Sequence, residues 1–399
     1  MEEWKEYRLG DVCKFQEGYV NPPQGNPEFF DGDIKWLRAT DLNDGYIYNT
    51  SRTLTELGYM SAKKSAILFE PGSIAISKSG TIGRLGILKD YMCGNRAVIN
   101  IIPKSFVNTY FIFCMLRSFR HNFPLLAVGS VQKNLYISIL EEIKIILPNL
   151  GLQTKIASIL KSLDDKIEVN RRINDNLEQQ AQALFKSWFV DFEPFKDGEF
   201  VESELGMIPK GWRVGTLSEI AVITMGVSPS GLSYNTKSEG DVFYQGRAEF
   251  GFRFPKRNMY TTEAKRFAEI DSILFSVRAP VGDVNVAEEK CCIGRGLASI
   301  KALYGYNSFV LYLMQYLKPF FDKYNSEGTV FGNINKSTLE GFKIIISPKE
   351  YQEKFQKIVG KMDCIIKSLE QESSRLSSLR DTLLPRLMSG ELKINDISV

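Results

Sequence analysis

The chain repeats itself at a fixed distance. The segment GSVQKNLYISILEEIKIIL (129–147) returns as GTVFGNINKSTLEGFKIII (328–346). Identities fall at Gly129/Gly328, Val131/Val330, Asn134/Asn333, Ser138/Ser337, Leu140/Leu339, Glu141/Glu340 and Lys144/Lys343, each pair 199 residues apart. The same offset links Ser77 to Ser276 and Gly83 to Gly282. Trp4 and Trp212 each precede a short apolar opening segment, although the spacing there drifts. A repeat on this scale in 399 residues implies two related globular parts rather than one core.

Both halves run in the same order. Short β-like runs come first, SIAIS, RLGIL and AVINII in one half and SILFS, DVNVA and LASIKA in the other. A helix-like run follows near 107–119 and 307–321, then the repeated segment with a short strand, IKIIL or FKIII. Turn residues separate the strands, so each globular part reads as α+β.

A long helix closes each half. In the first, over about 151–188, a 3/4 spacing joins Ile156, Leu160, Leu163, Ile167, Asn170, Asn174, Leu177, Ala181, Leu184 and Trp188. The second gives Phe355, Val359, Met362, Ile366, Leu369, Ser373, Leu376, Arg380, Leu383 and Leu387. This is a heptad seam on otherwise polar helices, so each is expected to seek one partner helix, the other one. Asn170, Asn174 and Ser373 either fix its register or loosen it. Pro385 is expected to end or kink the second helix. At 1.5 Å per residue each helix is a rod of about 55 Å. Two similar parts on such a rod suggest a caliper able to span a duplex.

Composition excludes more than it assigns. A net charge of +3 is too small to mark a nucleic-acid binder. Six cysteines without a CxxC pair, and a single histidine, His121, argue against a zinc site and leave acid-base catalysis poorly supplied. The opening MEEWKEYRLG has no apolar stretch, and YFIFCML (110–116) is too short to cross a bilayer, so a cytoplasmic protein is expected.

Three stretches invite chemistry. VNPPQG (20–25) resembles the Asn-Pro-Pro-aromatic signature of amino-methyltransferases, but Gln24 stands where the stacking ring belongs. No glycine-rich strand–loop–helix accompanies it, so a Pro-rich loop is preferred. SKSGTIGRLG (77–86) runs between two β-like segments, unlike a phosphate loop that opens a helix. Its counterpart SVRAPVGDVN has different wording, as a surface reading a different target would, although a plain hairpin remains the alternative. YQGRAEFGFRFPKRNMY (244–260) interleaves Arg247, Arg253, Lys256 and Arg257 with aromatic rings, of which Phe252 and Phe254 alternate as core-filling strand residues do. In the first half WLRATDLNDGYIYNTSR (36–52) offers Arg38, Tyr46, Tyr48 and Arg52.

The two-half layout, SKSGTIGR answered by SVRAPVGDVNVAEEKCCIGRG, NLEQQAQALFKSWFVDFEPF after the first helix and LRDTLLPRLMSGEL after the second together resemble the specificity subunits of type I restriction-modification systems. The resemblance covers essentially the whole chain. It implies an α+β protein with two pseudo-symmetric target recognition domains, separated by two long antiparallel helices. The expected layout is a recognition domain over 1–148, a helical spacer over 149–199, a second recognition domain over 200–347 and a second spacer over 348–399. It implies a subunit without a catalytic centre, reading a split, asymmetric site in double-stranded DNA. Modification subunits carrying S-adenosylmethionine, and a restriction subunit using ATP and magnesium, are the implied partners. The DNA-facing candidates are Lys78, Ser79, Thr81, Arg84, Arg96, Lys133 and Asn134 in the first half, and Arg247, Arg253, Arg278, Arg295, Asn335 and Lys336 in the second.

Overall fold

A computed structural model describes residues 4–130, 132–325 and 332–393. Val131, Gly328 and Val330 of the repeat lie outside the described residues. The chain divides into two compact units: Met1–Asn170 with Glu372–Val399, and Arg171–Gln371.

The first unit is built on a five-stranded sheet in the order Cys13–Glu17, Val98–Pro103, Ile74–Ser77, Leu85–Leu88 and Tyr46–Ile47. A four-stranded sheet orders Thr53–Leu54, Phe30–Leu37, Met92–Gly94 and Leu68–Phe69. The β-branched runs foreseen in the sequence form the central strands, because both their faces are covered; Ile74, Ala75 and Ile76 are wholly buried. The second unit repeats the plan. Ala221–Met225, Leu297–Ala302, Ile273–Ser276 and Val284–Val286 form one sheet, and Asp241–Tyr244 and Cys291–Ile293 are central in the other.

The repeat extends to register. Val98 faces Ser77 and Ile101 faces Ile74; Leu297 faces Ser276 and Ile300 faces Ile273, each shifted by 199 residues. The drifting spacing near the start of the sequence also has a location. Trp36 faces Cys93 as Phe243 faces Cys292, an offset of 207 on one strand and 199 on the other. Leu68 faces Cys93 as Phe267 faces Cys292, which restores 199 on both. The first unit therefore carries eight extra residues between Leu37 and Leu68.

The long helices span Leu150–Phe189 and Lys349–Met388. Their seam differs from the expected one in an instructive way. Ile156 and Leu160 are buried in the first unit's core, together with Leu384 and Leu387 from the second helix. Phe355 and Val359 are buried in the second unit's core, beside Ala181, Phe185 and Phe189. The first turns of each helix therefore pack into a globular core as well as onto a helix. Ile366 is fully buried, whereas Leu163, Ile167, Leu177, Met362, Leu369 and Leu376 are half-buried. Asn170 and Asn174 are also fully buried. In the first unit Asn170 donates to Glu372 (2.7 Å) and Ser373 (3.3 Å), and in the second Asn174 donates to Glu370 (3.1 Å). A one-residue slip would break these bonds, so they tie register. Pro385 does not end its helix, which continues to Met388. Leu384 and Leu387 are buried on either side of it, and their packing outweighs the missing N–H.

Candidate nucleic-acid interface

The loop 78–84 joins two antiparallel strands, as a hairpin should. Its shape is set by a serine and a glycine. Ser77 Oγ donates to the Thr81 carbonyl (2.5 Å) and accepts from the Arg84 N–H (2.9 Å), and Gly83 N–H closes on Ser77 O (3.0 Å). The second unit copies these three bonds. Ser276 Oγ donates to Pro280 O (2.8 Å) and accepts from Asp283 N–H (2.9 Å), and Gly282 N–H donates to Ser276 O (3.0 Å). The repeated letters are thus the scaffold, and the altered letters are what the scaffold displays.

Gly83 has φ +86°, and a Cβ there would lie 2.9 Å from the Phe123 ring. Gly80, at φ +71°, has open space around it. Gly83→Ala is expected to cost about 1–3 kcal/mol and Gly80→Ala clearly less, since only the first combines backbone strain with a clash. Thermal unfolding of the two variants checks the ranking.

Backbone hydrogen bonds gather neighbouring segments around each loop. Lys78 N–H donates to Ala97 O (2.8 Å), and Leu135 N–H donates to Lys78 O (2.9 Å). This sets the Arg96 turn and the Lys133–Asn134 segment beside the hairpin. In the second unit Val277 N–H meets Gly296 O (3.0 Å) and Ile334 N–H meets Val277 O (3.0 Å), which brings Arg295 and Asn333 to Arg278. Thr81, Arg96, Lys133, Arg278 and Arg295 are exposed, whereas Ser79, Arg84 and Asn134 are half-buried. Among the described residues, no carboxylate lies within ion-pair distance of Arg84, Arg96, Lys133, Arg278 or Arg295.

Other candidates are already engaged. Lys78 is half-buried in an ion pair with Glu17, and burial, then the nearby Arg96, push its amine below the usual lysine range. Asn335 caps the helix Lys336–Glu340 by accepting from Thr338 N–H (2.9 Å), and Lys336 pairs with Glu340 (3.4 Å). Arg247 is exposed and held by Asp283 at 2.5 Å, the residue that replaces Arg84 on the second scaffold.

Arg253 is a correction. It is 4% exposed and faces inward, not toward a ligand surface. Its guanidinium joins Glu178, Asp363 (2.6 Å) and the Tyr312 hydroxyl (2.9 Å). Half-buried carboxylates on two helices converge on one cation with several donors, and arginine supplies it. Phe252 is a second correction: the 244–260 stretch is a short 3-10 turn, Arg247–Glu249, followed by loop, so alternation does not apply and Phe252 is 43% exposed. Phe254 packs against the core as expected. The VNPPQG loop is tied into the fold, since Val20 O accepts from Trp36 Nε1 (2.8 Å) and Gln24 from Arg52 (2.7 Å).

Two residues outside the candidate set occupy matching positions at this edge. Arg38 follows Leu37, and Gln245 follows Tyr244, on strands of equivalent register. Only the strand pairing reveals the match, because the extra residues of the first unit hide it from a constant offset.

Comparison with known proteins follows the same division. A family model described as type I restriction modification DNA specificity domain matches residues 1–179 and again 209–377. The putative type I restriction enzyme MjaX specificity subunit of Methanocaldococcus jannaschii is 33% identical over 98% of this chain and 94% of its own length. The MjaIX specificity subunit of the same organism is 29% identical over 99% of this chain and 95% of its own. The S subunit of a type I restriction-modification system from M. genitalium shares the fold, with a TM-score of 0.56, 18% identity and 96% of both chains covered.

Proposed function

The chain belongs to the type I restriction-modification DNA specificity family, and from that membership we propose that its two units read the two halves of one split DNA site. It is the DNA-recognition subunit of such a system, working with modification and restriction subunits. S-adenosylmethionine, ATP and magnesium are assigned to those partners and adenine methylation to the modification subunit, and the whole acts in the cytoplasm. No described helix is long and apolar enough to cross a membrane.

The observation that carries the two-site reading is the pair of identical loop scaffolds bearing different side chains. An enzyme using one cofactor would keep the contacting residues and could vary the frame. Here the frame is kept and the displayed residues change, from Ser79 and Arg84 to Arg278 and Asp283. Exposed cations without carboxylate partners suit phosphates or guanine edges.

The double variant Arg278→Ala/Arg295→Ala, in complex with the modification subunit, is expected to weaken binding through the second half-site alone. Each lost phosphate contact should reduce the slope of log affinity against log salt by about one. Equal loss at both half-sites, or an unchanged slope and affinity, would count against the reading. Sequencing methylated bases in cells that express this chain with its modification subunit supplies the site.

A further inference from the structure

The matched positions Arg38 and Gln245 each carry a planar side chain that is fixed before any ligand arrives. Gln245 is exposed, yet its amide is anchored. Its Nε2 donates to Ser228 Oγ (3.0 Å), and the Tyr234 hydroxyl, which donates to Pro229 O (3.1 Å), packs 3.4 Å from its Oε1, so one amide N–H and the oxygen stay available to a ligand. Ser228 Oγ also accepts from Arg295 N–H (3.1 Å), and Gln245 O accepts from Gly296 N–H (3.1 Å), so the amide stands beside the exposed Arg295. Arg38 has the same setting. Its NH2 donates to Ser51 Oγ (2.6 Å), and its guanidinium lies 5.5 Å from the Trp36 ring centre. Asp41 accepts from Arg38 N–H (2.8 Å) and from Ser51 N–H (3.0 Å), and the Arg38 side chain stays 28% exposed. Asn95 N–H donates to Leu37 O (2.9 Å), which sets Arg38 beside the Arg96 turn.

Phosphate contacts tolerate mobile side chains, because charge attracts from any direction. Base reading does not, because two hydrogen bonds must meet two atoms in one plane. Preorganised planar groups are what base reading requires, and the two planar groups here differ. A guanidinium matches the O6 and N7 acceptors of guanine; a carboxamide matches the N7 acceptor and N6 donor of adenine. We propose that Arg38 and Gln245 are base-specificity residues at one shared position of the two units, Arg38 for a guanine in one half-site and Gln245 for an adenine in the other. This rests on the reading that the loop-bearing edge of each unit faces DNA.

The test uses the complex of the chain with its modification subunit, incubated with a plasmid library randomised across both half-sites, with the methylated bases sequenced. Gln245→Ala is expected to lose about tenfold or more of its preference at one A·T pair of the second half-site, and Arg38→Gln at one G·C pair of the first. Gln245→Arg should move the preference at its position toward guanine. The untouched half-site in each variant reports that the protein is folded. Arg295→Ala is run beside them. If Arg295→Ala weakens binding while Gln245→Ala and Arg38→Gln keep every base preference, the assignment to these two residues is wrong. If Arg295→Ala also binds as the parent does, the DNA-facing edge itself is wrong.

Discussion

Replacing Arg253 by methionine is expected to destabilise the second unit by about 3 kcal/mol, because it leaves two half-buried carboxylates without their counter-ion. The arginine side chain is only 5% exposed, so water cannot take over its role. Glu178 and Asp363 would then face each other across the Tyr312 hydroxyl, which lies 3.2 Å from each carboxylate. Methionine fills similar volume, so the loss reports charge rather than a cavity. The same change has a consequence for recognition. Arg253 O accepts from Val286 N–H (2.9 Å), on the strand that leads from the loop bearing Arg278. Denaturant unfolding measures the first effect, and binding to a duplex carrying the second half-site measures the other. Arg253→Lys should recover only part of the stability, since one ammonium cannot reach both carboxylates and the hydroxyl in the arginine's fork geometry. Full recovery with lysine would refute the multidentate role.

Phe355→Ala should cost a comparable amount, about 3–5 kcal/mol, by a different mechanism. Phe355 is fully buried, and its ring centre lies 5.4–6.4 Å from those of Phe185, Trp188, Phe189, Phe309 and Tyr312. Those rings come from the first long helix and from the helix Asn307–Phe321, while Phe355 itself is on the second long helix. Removing the central one leaves a void that aromatic neighbours on two other helices cannot all close. The matching position in the first unit is Ile156, and Ile156→Val should cost only about 0.5–1.5 kcal/mol. Equilibrium unfolding in guanidinium, with the slope checked for constancy, distinguishes the two. A Phe355→Ala cost as small as that of Ile156→Val would mean that the aromatic cluster repacks freely.

Much of the scaffold was legible in the sequence. Strands such as Ile74–Ser77 and Val98–Pro103 are β-branched runs bounded by turn residues, and such runs have few other fates once both faces are buried. The constant offset located the hairpin scaffolds because Ser77/Ser276 and Gly83/Gly282 carry the geometry. The polar roles were less legible. Whether an arginine is a ligand for DNA or a strut depends on partners such as Glu178 and Asp363, which are 75 and 110 residues from Arg253 in sequence. Asp164 shows the same from the acid side. In KSLDDK it reads as part of a solvated helix face, yet it accepts from Arg117 (2.9 Å) and Arg380 (2.7 Å). The match between Arg38 and Gln245 is hidden for a topological reason. Their equivalence is carried by strand pairing across an eight-residue insertion, and sequence spacing alone cannot register it.

The division of the chain has a consequence for the order of synthesis. The second unit is one continuous stretch, Arg171–Gln371, so it can close as soon as that stretch has left the ribosome. The first unit is finished only by Glu372 onward, because Leu384 and Leu387 complete the core begun by Leu9 and Val12. Until those leucines are made, Ile156 and Leu160 have an unfilled side. The half of the protein translated first is therefore the half that matures last, its core open for the time needed to synthesise about two hundred further residues.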